Sequence, residues 1–217
     1  MKLLLYGAGG LAKEIYDIVN RCYPDRYEKI YFIDDFVEEA QFYLSETIHF
    51  DSIKCRFENL NDVEGVVAVG EPAYRDMLSK RFDKMGIKLA TIIDKTALVS
   101  PTARIAEGTI VCEFSTIHAD VELGRSVLIQ PYADVGHDIK VGNYSVLSSN
   151  CAPGGESVFG ERVYVGMNAT TKEKIKVGDN SIIAMGSSVF RDVDAESVVV
   201  GNPARVTKGN LQHRVFE

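Results

Sequence analysis

The fold is decided by a stretch that contains VELGRSVLIQPYADVGHDIKVG at residues 121–142. In this stretch an apolar residue returns at every sixth position, and the same phase holds from Ile105 to Val189, with Pro153 and Thr171 as exceptions. A helix cannot keep a six-residue period on one face, and a flat strand would alternate with a period of two. The pattern therefore predicts short strands joined by corners, which is a hexapeptide-repeat parallel β-helix.

Two further features recur within the hexads. One residue after the repeated apolar position, seven hexads have a glycine, and we interpret these glycines as residues that let the backbone turn a tight corner. Four residues after it, small or β-branched side chains are the rule. Fifteen hexads between Ile105 and the end of the run, taken three to a coil, predict five coils.

The sequence before the repeat has the pattern of a Rossmann-like βαβ domain. A strand at Leu3–Tyr6 runs into glycines at residues 7, 9 and 10, a helical spacing of apolar residues follows, and a second strand at Lys29–Ile33 ends in two aspartates. A ligand is expected at the carboxyl ends of such strands. The same patterns predict further elements of this domain. These are a strand at Val66–Val69, a helix from Pro72 to Gly86, a strand at Leu89–Ile93 and a low-information stretch at residues 36–62 with a strand near Thr47.

We divide the chain near residue 95, into a Rossmann-like domain at residues 1–95 and a β-helix at residues 96–217. The 217 residues and 24.0 kDa suffice for two small domains with buried cores.

A net charge of −7 argues against a nucleic acid or an anionic membrane as a general partner. The four cysteines lack CxxC spacing, which indicates reduced thiols in a cytoplasmic protein. The apolar run at residues 3–6 is too short for a signal peptide or a membrane span.

Two of the four histidines, His118 and His137, fall within the repeat. His118 follows a repeated apolar position, where a histidine more often caps a corner or fills space between chains. His137 is followed by Asp138, and a histidine oriented by a carboxylate is a suitable general base at neutral pH. From spacing alone, a solvated histidine–aspartate corner is an equally good interpretation, because a fold does not determine a reaction.

The hexad run, the Gly-His-Asp corner at residues 136–138 and the Val-Gly-Asn-Pro-Ala ending at residues 200–204 resemble the left-handed β-helix acyltransferases that use acetyl-CoA. With Tyr-Gly-Ala-Gly-Gly at residues 6–10, Phe-Ile-Asp-Asp at residues 32–35 and Ala-Val-Gly at residues 68–70, nearly the whole chain is similar to the sialic acid O-acetyltransferase-like and UDP-4-amino-sugar N-acetyltransferase group. The left hand of the coil is implied by this resemblance only, since parallel crossovers are otherwise right-handed.

The resemblance implies roles for individual residues. His137 matches the catalytic base, and Asp138 matches the acidic residue beside it, where relatives often have glutamate. The remaining matches fall into a set expected to bind the nucleotide sugar and a set expected to bind acetyl-CoA. The first set is Gly9, Gly10, Leu11, Asp34, Asp35, Gly70 and Glu71, and the second is Val146, Gly154, Gly155, Met167 and Met185.

The implied activity is acetyl-CoA-dependent N-acetylation of a nucleotide-linked, UDP-preferring 4-amino-4,6-dideoxy sugar in bacterial surface-glycan synthesis, without a metal. His137 would take a proton from the attacking amine, and a backbone N–H of Gly154 or Gly155 would stabilise the oxyanion. Pantetheine would lie between coils of two subunits of a homotrimer. Because His137 and Gly155 are 18 residues apart, one full coil, we expect them to stack on one edge.

Four alternatives remain open. O-acetylation of a sialic acid or a similar hydroxyl is the closest one. A nicotinamide-dependent oxidoreductase would use the glycines at residues 7 and 9 with Asp34 or Asp35, although only one mononucleotide-binding half is present. A zinc lyase of the γ-carbonic-anhydrase type would need three converging histidines, and the repeat has two. A non-catalytic β-helix that assembles or senses a ligand is the fourth.

Overall fold

The computed structural model describes residues 1–36 and 40–216. The last residue of the predicted second domain, and three residues of the low-information stretch at 36–62, lie outside this description. The first part of the chain forms a sheet with helices on its faces. Its elements are β1 (Lys2–Tyr6), α1 (Gly10–Cys22), β2 (Lys29–Ile33), β3 (Ala40–Phe42), β4 (Ser45–Ile48), α2 (Ile53–Arg56), β5 (Val63–Val67), α3 (Pro72–Met85) and β6 (Lys88–Leu89), with 3₁₀ turns at Phe50–Ser52 and Leu60–Asp62.

The strand order of this sheet is β3-β4-β2-β1-β5-β6. Among the described strands of this sheet, only β3 runs antiparallel, since β4, β2, β1, β5 and β6 pair in parallel. The carboxyl ends of β1, β2 and β5 therefore meet at one edge, as predicted for a βαβ unit. The strand predicted near Thr47 is β4, and the third parallel strand begins at Val63 rather than at Val66.

The two long helices follow their sequence signals. In α1 the residues Ala12, Ile15, Ile18 and Val19 are buried on one face, which is the expected 3.6-residue spacing. Proline occupies the first turn of α3, where its missing N–H costs nothing. Gly86 ends α3 in the left-handed conformation with φ 75°, a conformation that favours glycine.

The second part is a parallel β-helix with a small hairpin at its end. Its strands are β7 (Ile92–Ile93), β8 (Leu98–Val99), β9 (Arg104–Ile105), β10 (Ile110–Val111), β11 (Thr116–Ile117), β12 (Glu122–Leu123), β13 (Leu128–Ile129), β14 (Asp134–Val135), β15 (Lys140–Val141), β16 (Val146–Leu147), β17 (Val158–Phe159), β18 (Tyr164–Val165), β19 (Thr170–Thr171), β20 (Lys176–Val177), β21 (Ile182–Ile183), β22 (Ser188–Val189), β23 (Ser197–Gly201) and β24 (Ala204–Gly209). Strands pair in parallel with the strand 18 residues further on, for example Ile110 with Leu128, so one coil is three hexads.

Successive strands build three faces. The interdomain face contains β7, β10, β13, β16, β18, β21 and the hairpin β23–β24. The second face contains β8, β11 and β14 and continues through the single bridge of Ala152 with Thr170 to β19 and β22. The third face contains β9, β12, β15, β17 and β20. The repeated apolar residues fill the interior between the faces, as the six-residue period predicts.

The predicted strand at Leu89–Ile93 is wrong as a single strand. Leu89 ends β6 in the first sheet, while Ile92 begins β7 and pairs with Ile110 of the β-helix. The backbone N–H of Ala90 donates to Gly65 in the first sheet, whereas that of Ile92 donates to Thr109 in the coil. The chain thus changes sheets at Thr91, before the proposed domain division at residue 95, which stays a proposal.

The interpretation of the corner glycines needs a correction. The residue with positive φ at most corners is a non-glycine residue three positions after the inward one, such as Asp138 with φ 59°. The glycines are needed because adjacent coils approach closely. A Cβ at Gly136 would lie 2.8 Å from the N of Gly155, and one at Gly124 would lie 2.8 Å from the N of Asn143.

The first sheet packs directly on the interdomain face. Leu3, Leu5 and Ile15 share one apolar cluster with Ile110 and Leu128, which point outward from the coil. Burying a side chain of this size stabilises the fold by about 1.5–3 kcal/mol. The two parts are therefore joined through a continuous core rather than by a flexible linker.

Polar contacts fix the same junction. The fully buried Arg75 of α3 donates hydrogen bonds to the carbonyls of Val67, Val69 and Ser126, at 2.7–2.9 Å. Burial lowers the pKa of the Arg75 guanidinium to about 9, so the group keeps its proton at neutral pH. Because Ser126 lies on a coil corner, Arg75 ties the end of β5 to the β-helix.

Candidate active site

His137 lies on the corner of the β-helix that faces away from the first sheet. The strands follow one another on the interdomain, second and third faces, so the corner between the second and third faces is opposite the interdomain face. We call this the far corner; in the coil of His137 it consists of residues 136–139, between β14 and β15. Hydrogen bonds from Asp138 N to Ala119 O (2.9 Å) and from Glu156 N to His137 O (2.8 Å) hold its backbone to both neighbouring coils.

The imidazole of His137 contacts Asp138 directly. Nδ1 of His137 lies 2.8 Å from Oδ2 of Asp138, and both side chains are more than half exposed. A carboxylate acceptor favours the tautomer that carries its proton on Nδ1. Nε2 then has a free lone pair that can accept a proton, which is the arrangement that a general base requires.

Gly155 stacks against this imidazole from the next coil. A Cβ at Gly155 would lie 2.9 Å from Nε2 and 3.0 Å from Cε1 of His137. The predicted stacking of the two residues on one edge is therefore confirmed. Any side chain at residue 155 would displace the imidazole, so glycine at this position keeps Nε2 accessible.

The two exceptions to the apolar repeat, Pro153 and Thr171, lie in one column beside this corner. The Thr171 hydroxyl accepts a hydrogen bond from the Gly154 N–H at 3.1 Å, and Pro153 O accepts one from Gly136 N at 3.2 Å. Among the described residues, none accepts a hydrogen bond from the N–H of Gly155. Of the two predicted oxyanion donors, Gly155 is therefore the one whose N–H is available. Thr171 was not predicted as a site residue, although its break in the repeat was the signal.

His118 lies one coil before Gly136 on the same corner. Its Nε2 is 2.9 Å from Oδ1 of Asp134 on the second face. This contact agrees with the expectation that His118 caps a corner. Among the part of the chain that the structure describes, no group of three or more histidine, cysteine, aspartate or glutamate residues could hold a metal ion.

A cavity of about 590 Å³ opens at the carboxyl ends of β1, β2 and β5. We call it the strand-end cavity. A Cβ at Gly9 or at Gly10 would meet no atom within 4 Å, so the start of α1 borders open space. Helix N-termini with free N–H groups suit anions such as phosphate. The lining residues are Tyr6, Gly7, Ala8, Gly9, Ile33, Asp34, Asp35, Phe36, Val69, Tyr74, Met77 and Leu78.

The two aspartates of this cavity have different surroundings. Asp35 accepts hydrogen bonds from the Tyr6 hydroxyl at 2.8 and 3.0 Å and from the Arg81 guanidinium at 2.5 Å. Burial, together with the Asp35 carboxylate, raises the pKa of Tyr6 far above its ordinary value, so its hydroxyl stays a donor. Asp34 accepts a bond from the Phe36 backbone N–H through one oxygen, Oδ1. The second carboxylate oxygen of Asp34 can accept a hydrogen bond from a ligand hydroxyl, so Asp34 is better placed for this than Asp35.

The other predicted substrate residues are only partly brought together. Gly10 and Leu11 begin α1, with Leu11 half-buried against the interdomain core. Gly70 and Glu71 lie outside the lining of the cavity, between β5 and α3. Glu71 is 5% exposed, and its carboxylate accepts hydrogen bonds from the backbone of Val215 and Phe216 at 3.0–3.2 Å.

The predicted acetyl-CoA residues are separated by the structure. Gly154 and Gly155 lie on the far corner, while Met167 and Met185 are 18 residues apart on the corner between the interdomain and second faces, 44% and 66% exposed. Val146 is 1% exposed within the interdomain core. Its burial gives acetyl-CoA no access to its side chain, so of this set Val146 has the least support as a ligand contact.

Both parts of the chain are similar to known proteins. Residues 2–82 match the family model described as the PglD N-terminal domain. Over 115 residues, half of this chain, the sequence is 30% identical to acyl-(acyl-carrier-protein)–UDP-N-acetylglucosamine O-acyltransferase of Pseudomonas paraeruginosa strain DSM 24068 / PA7. The match covers 45% of that protein, and this chain spans less than half the length of the curated relatives that it matches.

Solved structures match nearly the full length. The acetyltransferase domain of PglB from Neisseria gonorrhoeae FA1090 has a TM-score of 0.88 at 25% identity, covering 95% of this chain and 99% of that chain. It is also known in complex with acetyl coenzyme A. PerB from Caulobacter crescentus, solved with CoA and GDP-perosamine, has a TM-score of 0.85 at 25% identity, covering 96% of this chain and 98% of that chain.

These matches confirm two predictions. The fold is a Rossmann-like domain followed by a left-handed parallel β-helix. The resemblance to the sugar N-acetyltransferase group of the hexapeptide-repeat acyltransferases is confirmed as well. No helix among residues 1–36 and 40–216 is both long and apolar enough to cross a membrane.

Proposed function

We propose that this member of the hexapeptide-repeat acyltransferase group is an acetyl-CoA-dependent N-acetyltransferase. Its substrate would be the amino group of a nucleotide-linked 4-amino-4,6-dideoxy sugar used in bacterial surface-glycan synthesis. The observation that carries this proposal is the far corner, where Asp138 orients His137 and Gly155 leaves Nε2 open. The GDP-sugar and CoA bound to the Caulobacter protein support the substrate class.

The proposed chemistry uses three groups of the chain. Nε2 of His137 accepts a proton from the sugar amine as the amine nitrogen forms a bond to the thioester carbonyl carbon. The Gly155 N–H donates a hydrogen bond to the carbonyl oxygen as that oxygen gains charge; one such donor is typically worth ~10²–10³ in rate. When the C–S bond breaks, the proton on Nε2 passes to the sulfur, which leaves as the thiol of CoA. Asp138 keeps the other imidazole proton on Nδ1 throughout.

We propose the strand-end cavity as the nucleotide-binding site. Its volume of about 590 Å³ lies in the range of small-molecule pockets. The start of α1 offers N–H groups to phosphate, and Asp34 offers a carboxylate oxygen to a ribose or base. UDP is our expected nucleotide, and GDP is the alternative that the Caulobacter protein suggests.

We propose that the active form is a homotrimer. The first sheet packs on the interdomain face, whereas His137 is on the opposite corner. A sugar held in the strand-end cavity would therefore meet the far corner of a neighbouring subunit rather than that of its own. Met167 and Met185, both exposed, would contact pantetheine in the groove between subunits.

We also propose a cytoplasmic location. All four cysteines are free thiols, and acetyl-CoA and nucleotide sugars would have to be available together. Free thiols are typical of a reducing compartment.

The proposed function is tested by thioester cleavage with acetyl-CoA against UDP-, GDP- and dTDP-linked 4-amino sugars and free sialic acid. We expect release of CoA thiol with one or more nucleotide-linked amino sugars and a product that is acetylated on nitrogen, identified by mass spectrometry. Activity on free sialic acid alone would instead establish O-acetylation and contradict the proposed substrate class. If none of these acceptors gives release of the CoA thiol, the acyltransferase proposal is contradicted.

A further inference from the structure

The last described residues of the chain fold back onto the start of α3. The backbone N–H groups of Val215 and Phe216 donate to the buried carboxylate of Glu71, and Arg214 N donates to Oδ1 of Asn210 at 3.0 Å. Three hydrogen bonds to one buried carboxylate fix this segment, because an unpaired carboxylate at that position would be costly. We call residues 210–216 the C-terminal strap.

The strap places one cation beside the strand-end cavity. The guanidinium carbon of Arg214 lies 4.5 Å from the ring centroid of Tyr74, and Tyr74 lines the cavity. Arg214 is exposed; it does not line the strand-end cavity itself but lines another open cavity of about 830 Å³. Within residues 1–36 and 40–216, no carboxylate forms an ion pair with Arg214.

The strand-end cavity lacks positive charge of its own. Among its described lining residues there is no lysine or arginine, while Asp34 and Asp35 both carry carboxylates. Arg81 pairs with Asp35 and lies over the Phe50 ring. The start of α1 supplies only about half an elementary charge. A further cation would strengthen the binding of a nucleoside diphosphate in such a cavity.

We propose that Arg214 supplies this cation and binds the diphosphate of the nucleotide sugar, with Glu71 as the positioning residue that holds the strap. This inference rests on the proposed function and deepens it. Guanidinium groups suit phosphate oxygens because they can donate two parallel hydrogen bonds. The proposal also accounts for Glu71, which was predicted from resemblance as a substrate-side residue but reaches the ligand only through the strap.

The test is the affinity for UDP and for GDP, measured by titration calorimetry without acetyl-CoA. In Arg214→Gln we expect the Kd of the nucleotide that wild type binds to rise roughly 10- to 100-fold, since a charge-assisted pair is lost. The increase should shrink as salt rises, because screening weakens the wild-type contact. Arg214→Lys should restore part of the affinity.

Arg26→Gln is the matched control. Arg26 also lies over tyrosine rings, 5.1 Å from that of Tyr27, but it precedes β2 at the opposite edge of the sheet and pairs with Glu64. The same substitution at this position should leave the Kd for UDP and GDP unchanged. An equal loss of affinity in both variants would contradict the assignment to Arg214.

The role of Glu71 is tested by a double-mutant cycle. Glu71→Gln should weaken nucleotide binding in the wild-type background but add little to Arg214→Gln, because Glu71 acts through Arg214. Additive losses would contradict the positioning role. If wild type binds UDP or GDP and Arg214→Gln binds it equally well, the inference is wrong while the proposed function stands. If wild type binds neither UDP nor GDP, the strand-end cavity is not the site of the expected nucleotides and the Arg214 assignment is wrong with it, whereas the acyltransferase proposal is judged separately by the thioester assay with all three nucleotide-linked sugars.

Discussion

The far corner and the strand-end cavity differ in how they are built. The far corner is a product of the repeat: the 18-residue coil sets His137 against Gly155, and backbone bonds to both neighbouring coils hold it. The cavity instead depends on where three parallel strands end and on what the following loops carry. In our proposal the coil therefore supplies the chemistry, which all substrates share, while the sheet edge supplies recognition, which varies with the nucleotide sugar.

The largest effect is expected from removing the base at the far corner. His137→Ala should lower kcat by roughly 10²–10⁴ because in the proposed mechanism His137 is the group that takes the amine proton. Binding of acetyl-CoA and of UDP or GDP should stay nearly intact, since in the proposed mechanism His137 takes the amine proton and binds neither ligand. Steady-state kinetics with calorimetry measures both. His118→Ala, in the same corner but bound to Asp134, is the control and should keep most of the activity. Near-normal turnover in His137→Ala would show that the base is elsewhere.

A smaller effect is expected from restoring the repeat at its exception. Thr171→Val places at residue 171 the side chain found at Val135 and Val189 in the same column. The Gly154 N–H loses its acceptor, so the peptide that leads to Gly155 is less well fixed, and we expect kcat to fall about tenfold. The free energy of unfolding should change little, because valine packs in this column already. A variant with unchanged kcat would mean that Thr171 does not position the oxyanion donor.

An effect on stability rather than on turnover is expected at the junction between the two parts of the chain. Burial alone would raise the pKa of Asp94, but hydrogen bonds from the Thr96 backbone N–H, the Arg21 guanidinium and the Thr96 hydroxyl outweigh it and lower the pKa to about 2. Since the folded pKa is below the ordinary 3.8, this stabilisation is complete above about pH 4 and is lost as the pH falls towards 2.

We therefore expect Asp94→Asn to unfold with about 2 kcal/mol less free energy than wild type at pH 6. The difference should disappear when urea unfolding is repeated near pH 2. A difference that stays constant between these two pH values would contradict the role of the Asp94 charge at the junction.

The coil could be predicted from the sequence, but the role of its corner glycines and the strand boundaries at the junction could not. The six-residue period required inward side chains, so the three faces and the stacking of His137 on Gly155 could be foreseen. The reason for the corner glycines could not be predicted, because it depends on the distance between adjacent coils. The strand predicted at Leu89–Ile93 failed since apolar character does not distinguish one sheet from two.

At the site, local signals were visible and long-range ones were not. Thr171 is visible in the sequence as an exception to the apolar repeat. Asp138 was predicted beside His137 because the two residues are neighbours in sequence and therefore lie close in space. The contact between Glu71 and the strap joins residues 144 and 145 positions apart. Neither periodicity nor motif spacing carries information about a contact of that range.

We propose that a nucleotide sugar in the cavity of one subunit is acetylated at the far corner of another. Mixing two inactive chains, His137→Ala and Gly9→Trp, tests this arrangement. Tryptophan at residue 9 has room in the open cavity and would fill it. If cavity and corner come from different chains, co-refolded or co-expressed assemblies should regain roughly a quarter of wild-type activity, the share of sites with both halves intact under random mixing. If one chain supplies both halves, the mixture will remain as inactive as the separate variants.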